Sequence, residues 1–84
     1  MEENTAIVVL HLLKQKREID LEVPLNITAN DLVIALNSAY DLGVNTENVM
    51  ECYVKCENPI ALLRGNKTLK DFGVRNGSDF YITE

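Results

Sequence analysis

The stretch Thr68 to Thr83, TLKDFGVRNGSDFYIT, constrains the fold more than any other part of the 84-residue chain. It reads as a one-turn helix, a tight turn and a final strand. Leu69 and Phe72, three apart, fall on the same side of one helical turn. Gly73 can take the left-handed conformation that ends such a turn, after which Val74 returns to the core. Asn76-Gly77 is the strongest two-residue turn signal in the sequence. From Asp79 the residues alternate, with Phe80 and Ile82 on one face and Asp79, Tyr81 and Thr83 on the other. Buried backbone groups must be paired, so this last strand is expected to insert between strands formed earlier.

Two such strands open the chain. Ala6 to Leu13 is the first, Lys14 to Arg17 a turn, and Glu18 to Val23 the second. The second alternates, with Ile19, Leu21 and Val23 inward and Glu18, Asp20 and Glu22 outward. The first is apolar on both faces. A two-residue loop at Gln15-Lys16 pairs Leu12 with Ile19, Leu10 with Leu21 and Val8 with Val23, which leaves Ile7, Val9, His11 and Leu13 outside. A loop one residue longer reverses the faces and sets His11 opposite Ile19. The first register is favoured because it does not bury an imidazole.

Pro24 ends the second strand, and Thr28 is a helix N-cap with Asp31 three residues on. Ile27 before the cap and Leu32 form a hydrophobic staple. Ala29, Leu32, Val33, Leu36 and Tyr40 recur at helical spacing as the buried stripe, and Asn30, Asn37, Ser38 and Asp41 form the wet side. Gly43 is expected to close the helix and Val44 to pack back. Residues 45–48 read as a loop, Val49 to Glu57 as strand three with Cys52, Val54 and Cys56 inward, and Ile60 to Leu63 as a short strand four. Residues 1–5 are polar and expected to be loose within a single domain spanning 1–84.

Composition narrows the function. Thirteen acids against eight bases give a net charge of −5, which disfavours nucleic acid or an anionic membrane as partner. The longest apolar run, Ala6 to Leu13, falls far short of the ~20 residues of a membrane span. Met1-Glu2-Glu3 lacks the basic start of a signal peptide, so a cytoplasmic protein is expected. On one strand Cys52 and Cys56 would lie about 13 Å apart at ~3.3 Å per residue, too far to bridge. With one distant His they give no zinc spacing, so neither metal nor cofactor is expected.

The order hairpin, helix, strand, short strand, one-turn helix, strand, carried by LEVPLNITANDL and LRGNKTLKDFGVRNGSDFYI, resembles the ubiquitin fold. That is an α+β β-grasp, in which a mixed sheet of four to five strands carries one main helix on one face. There the terminal strand runs parallel to strand one at the sheet centre. The resemblance covers residues 6–84. The L-x-D-x-G-[IV]-x-[ND]-G-[DS] passage, here Leu69, Asp71, Gly73, Val74, Asn76, Gly77 and Ser78, is similar to the small bacterial YukD/EsaB family. Those proteins accompany the type VII (WXG100, Esx-type) secretion system, and the resemblance implies an accessory or regulatory, non-catalytic role.

Ubiquitin and the sulfur carriers act through a C-terminal Gly-Gly, whereas this sequence closes on Ile82-Thr83-Glu84. Conjugation is therefore not expected, and a longer native C-terminus would favour the alternative of a sulfur carrier or modifier. The positions matching ubiquitin's recognition patch hold Lys14, Lys55 and Thr83. His11 has no nucleophile motif or convergent carboxylate pair with it in the sequence, so no catalytic residue is assigned. The acids of strand two read as a wet face, or as the acidic edge of a PB1-type or Ras-binding-like adaptor that takes a basic partner.

The remaining signal is the outer row of strand one. A solvated sheet face should alternate with polar residues, yet Ile7, Val9 and Leu13 with His11 point outward beside Tyr81, and Tyr53 and Lys55 extend the surface. Monomers seldom leave large apolar patches bare. These seven residues are the expected protein-binding surface, for a secretion-system component or a second copy of the chain.

Overall fold

A computed structural model of the protein describes residues 4–43 and 52–82. Seven elements follow in order: β1 (Thr5–Leu12), β2 (Arg17–Pro24), α1 (Ala29–Tyr40), β3 (Val54–Glu57), β4 (Ala61–Leu63), α2 (Leu69–Phe72) and β5 (Asp79–Ile82). The five strands form one sheet in the order β2-β1-β5-β3-β4. β5 lies between β1 and β3, parallel to the first and antiparallel to the second. The mixed sheet with one main helix is the ubiquitin-like β-grasp that the terminal stretch implied.

β5 is held in register by the turn that precedes it. Asn76 Oδ1 accepts from the Ile7 N–H at 2.8 Å, the Gly77 N–H donates to Ile7 and the Val9 N–H donates to Ser78. The Ser78 hydroxyl, fully buried, donates to the Asn58 carbonyl at 2.6 Å and accepts from the Arg75 N–H. One turn thus ties β1 to the β3–β4 connection, which fixes the strands on both sides of β5.

The core lies between the sheet and α1. Val8, Leu10, Leu12, Val54, Cys56, Leu63 and Phe80 meet Ala29, Leu32, Val33 and Leu36, and Leu69 is fully buried beside them. Both helices begin on threonine caps, Thr28 and Thr68, whose hydroxyls accept from the N–H groups of Asp31 and Asp71. The two helix starts also satisfy each other. Ala29 and Asn30 donate to the carbonyls of Lys67 and Gly65, and Leu69 and Lys70 donate to those of Ile27 and Leu25. Four first-turn N–H groups that a helix leaves without internal partners are paired this way.

Several expectations need correction. The hairpin pairs Leu12 with Arg17, Leu10 with Ile19 and Val8 with Leu21, two residues from the register of a Gln15-Lys16 loop. A shift of two keeps every side chain on its face, so Val8, Leu10 and Leu12 remain inward. The loop is Leu13–Lys16, closed by the Lys16 N–H on the Leu13 carbonyl, with Lys16 itself at φ 55°. The helix ends on Asp41, in the left-handed region with its N–H on the Asn37 carbonyl, and not at Gly43. β3 begins at Val54 and β4 at Ala61, with Ile60 exposed in the turn. Asn4 and Thr5 are not loose: Asn4 accepts from Leu25 and Thr5 opens β1. The expectations for residues 1–3, Val44, 45–48, 49–51, Thr83 and Glu84 lie outside the described residues.

Asn30 was assigned to the wet side and is buried. Its Oδ1 accepts from the Gly65 N–H at 3.0 Å and its Nδ2 donates to Asn66 Oδ1, so one amide fixes the loop before α2. Asn30→Ala leaves that N–H without its acceptor and should cost about 1–3 kcal/mol, measured by urea unfolding. Unchanged stability would show that the amide is dispensable.

Candidate protein-binding face

The sheet face opposite α1 is built by period-two alternation. On β1 the residues between the buried ones are Ile7, Val9 and His11; on β2 Glu18, Asp20 and Glu22 alternate with the half-buried Ile19 and Leu21 and the buried Val23. The strand registers then set these side chains in transverse rows. Glu18, His11, Tyr81, Lys55 and Leu62 stand opposite one another across all five strands. Asp20, Val9, Asp79 and Glu57 form the next row, and Glu22 with Ile7 the one beyond.

A stacked ring pair occupies the middle. The His11 and Tyr81 rings lie 4.4 Å apart and within 10° of parallel. His11 Nε2 is 3.1 Å from Asp79 Oδ1, and Nδ1 is 3.6 Å from Glu18 Oε2, with the side chain only 16% exposed. The Tyr81 hydroxyl donates to Glu57 Oε1 at 3.2 Å. Loss of water contact, that hydrogen bond and the charges of Glu57, Asp79 and Glu18 together push the Tyr81 phenol above its usual range. Behind it Cys56 is buried, and burial, with Asp79 and Glu57 nearby, pushes its thiol up to about 11. A neutral thiol is a poor nucleophile.

The expected surface residues divide in two. Ile7, Val9, His11, Tyr81 and Lys55 come together in the rows. Leu13 and Tyr53, both exposed, lie outside the rows but border a hollow that also takes in Lys55 and Tyr81, with Leu36 and Leu42. Leu62, 50% exposed opposite Lys55, belongs to the face and was missed, because a three-residue strand carries no alternation to read. The face is also less apolar than strand one suggested. Glu18, Asp20, Glu22, Asp79 and Glu57 surround Ile7, Val9 and the ring pair, and in these rows the only cation is Lys55. Among the described residues no group of His, Cys, Asp and Glu could hold a metal ion, and no helix is long and apolar enough to cross a membrane.

Comparison with known proteins agrees with this architecture. The family model for the WXG100 protein secretion system (Wss) protein YukD matches residues 7–82. No curated protein matches the sequence. The C-terminal ubiquitin-like domain of mouse tubulin-specific chaperone e superposes with a TM-score of 0.73 at 13% identity, over 99% of this chain and 89% of that one. The UBL domain of yeast Ddi1 gives 0.68 at 15%, over 99% and 92%. The ubiquitin-like domain of the Mycobacterium tuberculosis type VII secretion system protein ECCD1 gives 0.53 at 20%, over 95% and 98%. At these identities the structural likeness concerns the fold.

Proposed function

The chain belongs to the YukD family of the WXG100 protein secretion system, and from that membership we propose that it is a non-catalytic, ubiquitin-like interaction module, an accessory or regulatory component of a type VII secretion system. It works in the cytoplasm by presenting its open sheet face to another protein. The observation that carries this reading is the His11–Tyr81 stack at the centre of the face, with Leu62 farther along the same row and Val9 and Ile7 in the rows beside it. Rings held by their neighbours lose little side-chain freedom on binding, which suits them to anchor an interface.

The same face argues for a partner of another kind over a second copy. Face-to-face pairing of two copies would bring Glu18, Asp20, Glu22, Asp79 and Glu57 against their own equivalents, a like-charge contact that costs affinity. Nucleic acid is disfavoured for the same reason.

A photo-crosslinking amino acid tests the reading in the cell. Benzoylphenylalanine in place of Lys55 should capture a protein of the secretion machinery, and the same residue in place of Lys70, exposed on α2, should not. Capture from both positions, or from neither, would contradict the open face as the contact surface.

A further inference from the structure

The sheet edge formed by β2 has features that the open face does not explain. β2 is eight residues long and hydrogen-bonded on one side, to β1; the described sheet ends there. Beneath that edge runs a groove of about 370 Å³ between β2 and α1, mostly apolar through Leu21, Val23, Ile27, Leu32, Ala35 and Ala39 but bordered also by Glu22 and Asp31. Its width comes from the helix. Ala35 and Ala39, one turn apart, are exposed and too short to fill the space. On the opposite side of the same strand stand Glu18, Asp20 and Glu22, all exposed.

Natural edge strands are blunted by lysines, inward charges, prolines or bulges. Here Pro24 blocks the last position and the exposed Glu18, Asp20 and Glu22 guard the strand against an acidic neighbour, which leaves its backbone open to a partner of opposite charge. The occupant's chemistry follows from strand geometry. In a strand laid beside β2, successive side chains point to opposite faces. One set drops into the apolar groove over Ala35 and Ala39. The other set lies over the acidic face, next to Glu18, Asp20 and Glu22, where lysine or arginine is favoured across the pair. A second copy of β2 is excluded by the same acids, which would meet their own like charges.

We propose that the β2 edge and the β2–α1 groove take up an extended segment of a partner protein as a sixth strand, and that this segment alternates apolar residues with lysine or arginine. This site shares Glu18, Asp20 and Glu22 with the open face but takes in neither Tyr81 nor the ring stack, so variants at Ala35 and Ala39, which lie off that face, separate its failure from that of the open face.

The probe is a labelled peptide of about ten residues that alternates valine or isoleucine with lysine, long enough to cover the edge by strand addition. Added to the full chain, it should shift the amide resonances of Leu21 and Val23 together with those of Ala35 and Ala39. A version N-methylated at alternate residues on the edge-facing side keeps its charge and apolar groups but loses main-chain donors, and should bind about tenfold or more weakly. Ala35→Arg with Ala39→Arg fills the groove from exposed helix positions that tolerate arginine, and should weaken binding by a similar factor. Glu18→Lys, Asp20→Lys and Glu22→Lys together should do the same and flatten the salt dependence. Binding that survives N-methylation or groove filling would mean attraction by charge alone and would overturn the proposal. So would the absence of resonance shifts at β2 and α1.

Discussion

Leu69→Ala should cost about 2–5 kcal/mol, the range for truncating a well-packed leucine. Leu69 is fully buried and begins α2, where its N–H donates to the Ile27 carbonyl and its own carbonyl accepts from Gly73 and Val74. Its side chain therefore sits where α2 joins the start of α1. The backbone bonds hold the surrounding segments in place, so the cavity cannot readily collapse. A domain of this length has a total stability on the order of 5–10 kcal/mol, so the single change removes a large part of it. Thermal unfolding followed by circular dichroism should move down on the order of 10 °C or more. An unchanged midpoint would mean that Leu69 is not packed as described.

The second large effect concerns binding, not stability. Val9 pairs with Asp20 on one side and Asp79 on the other, and Tyr81 carries the stack on His11 and the hydrogen bond to Glu57. Val9→Glu together with Tyr81→Glu sets two more carboxylates among those already there and removes the central ring. Like charges opposite one another on a sheet cost roughly 0.2–1 kcal/mol each, and both positions face away from the core, so the fold should persist. Loss of two central interface groups, at about 2 kcal/mol or more each where they act as hot spots, amounts to several hundredfold in affinity or more.

What could be read from the sequence was whatever its local chemistry encodes. Thr68, Gly73, Asn76-Gly77 and the Phe80/Ile82 alternation carry their own signals, and each element they mark is present. The faces of β1 and β2 were legible because period two survives a register error of two residues. The register itself was not, because the left-handed position of the loop is taken by Lys16, where a glycine or asparagine would have announced it. Asp41 hid the helix end in the same way. Asn30 looks like any helix-surface amide, since its partners Gly65 and Asn66 lie some 35 residues away in sequence.

The candidate face followed the same division. That Ile7, Val9, His11 and Tyr81 point away from the helix was legible from alternation. The carboxylate surround was not, because Asp79 and Glu57 reach His11 and Tyr81 only once β5 lies between β1 and β3. Nor could the groove below β2 be anticipated, since it depends on where Ala35 and Ala39 fall against that strand.

The open face as a contact surface for the secretion machinery is tested most directly by isothermal titration of the protein crosslinked through position 55 into the parent chain and into the Val9→Glu, Tyr81→Glu variant. Circular dichroism should first show the same fold in both. The parent should bind and the variant should give no measurable heat. Equal affinity for the two would place the contact elsewhere on the molecule and contradict the function proposed for this face.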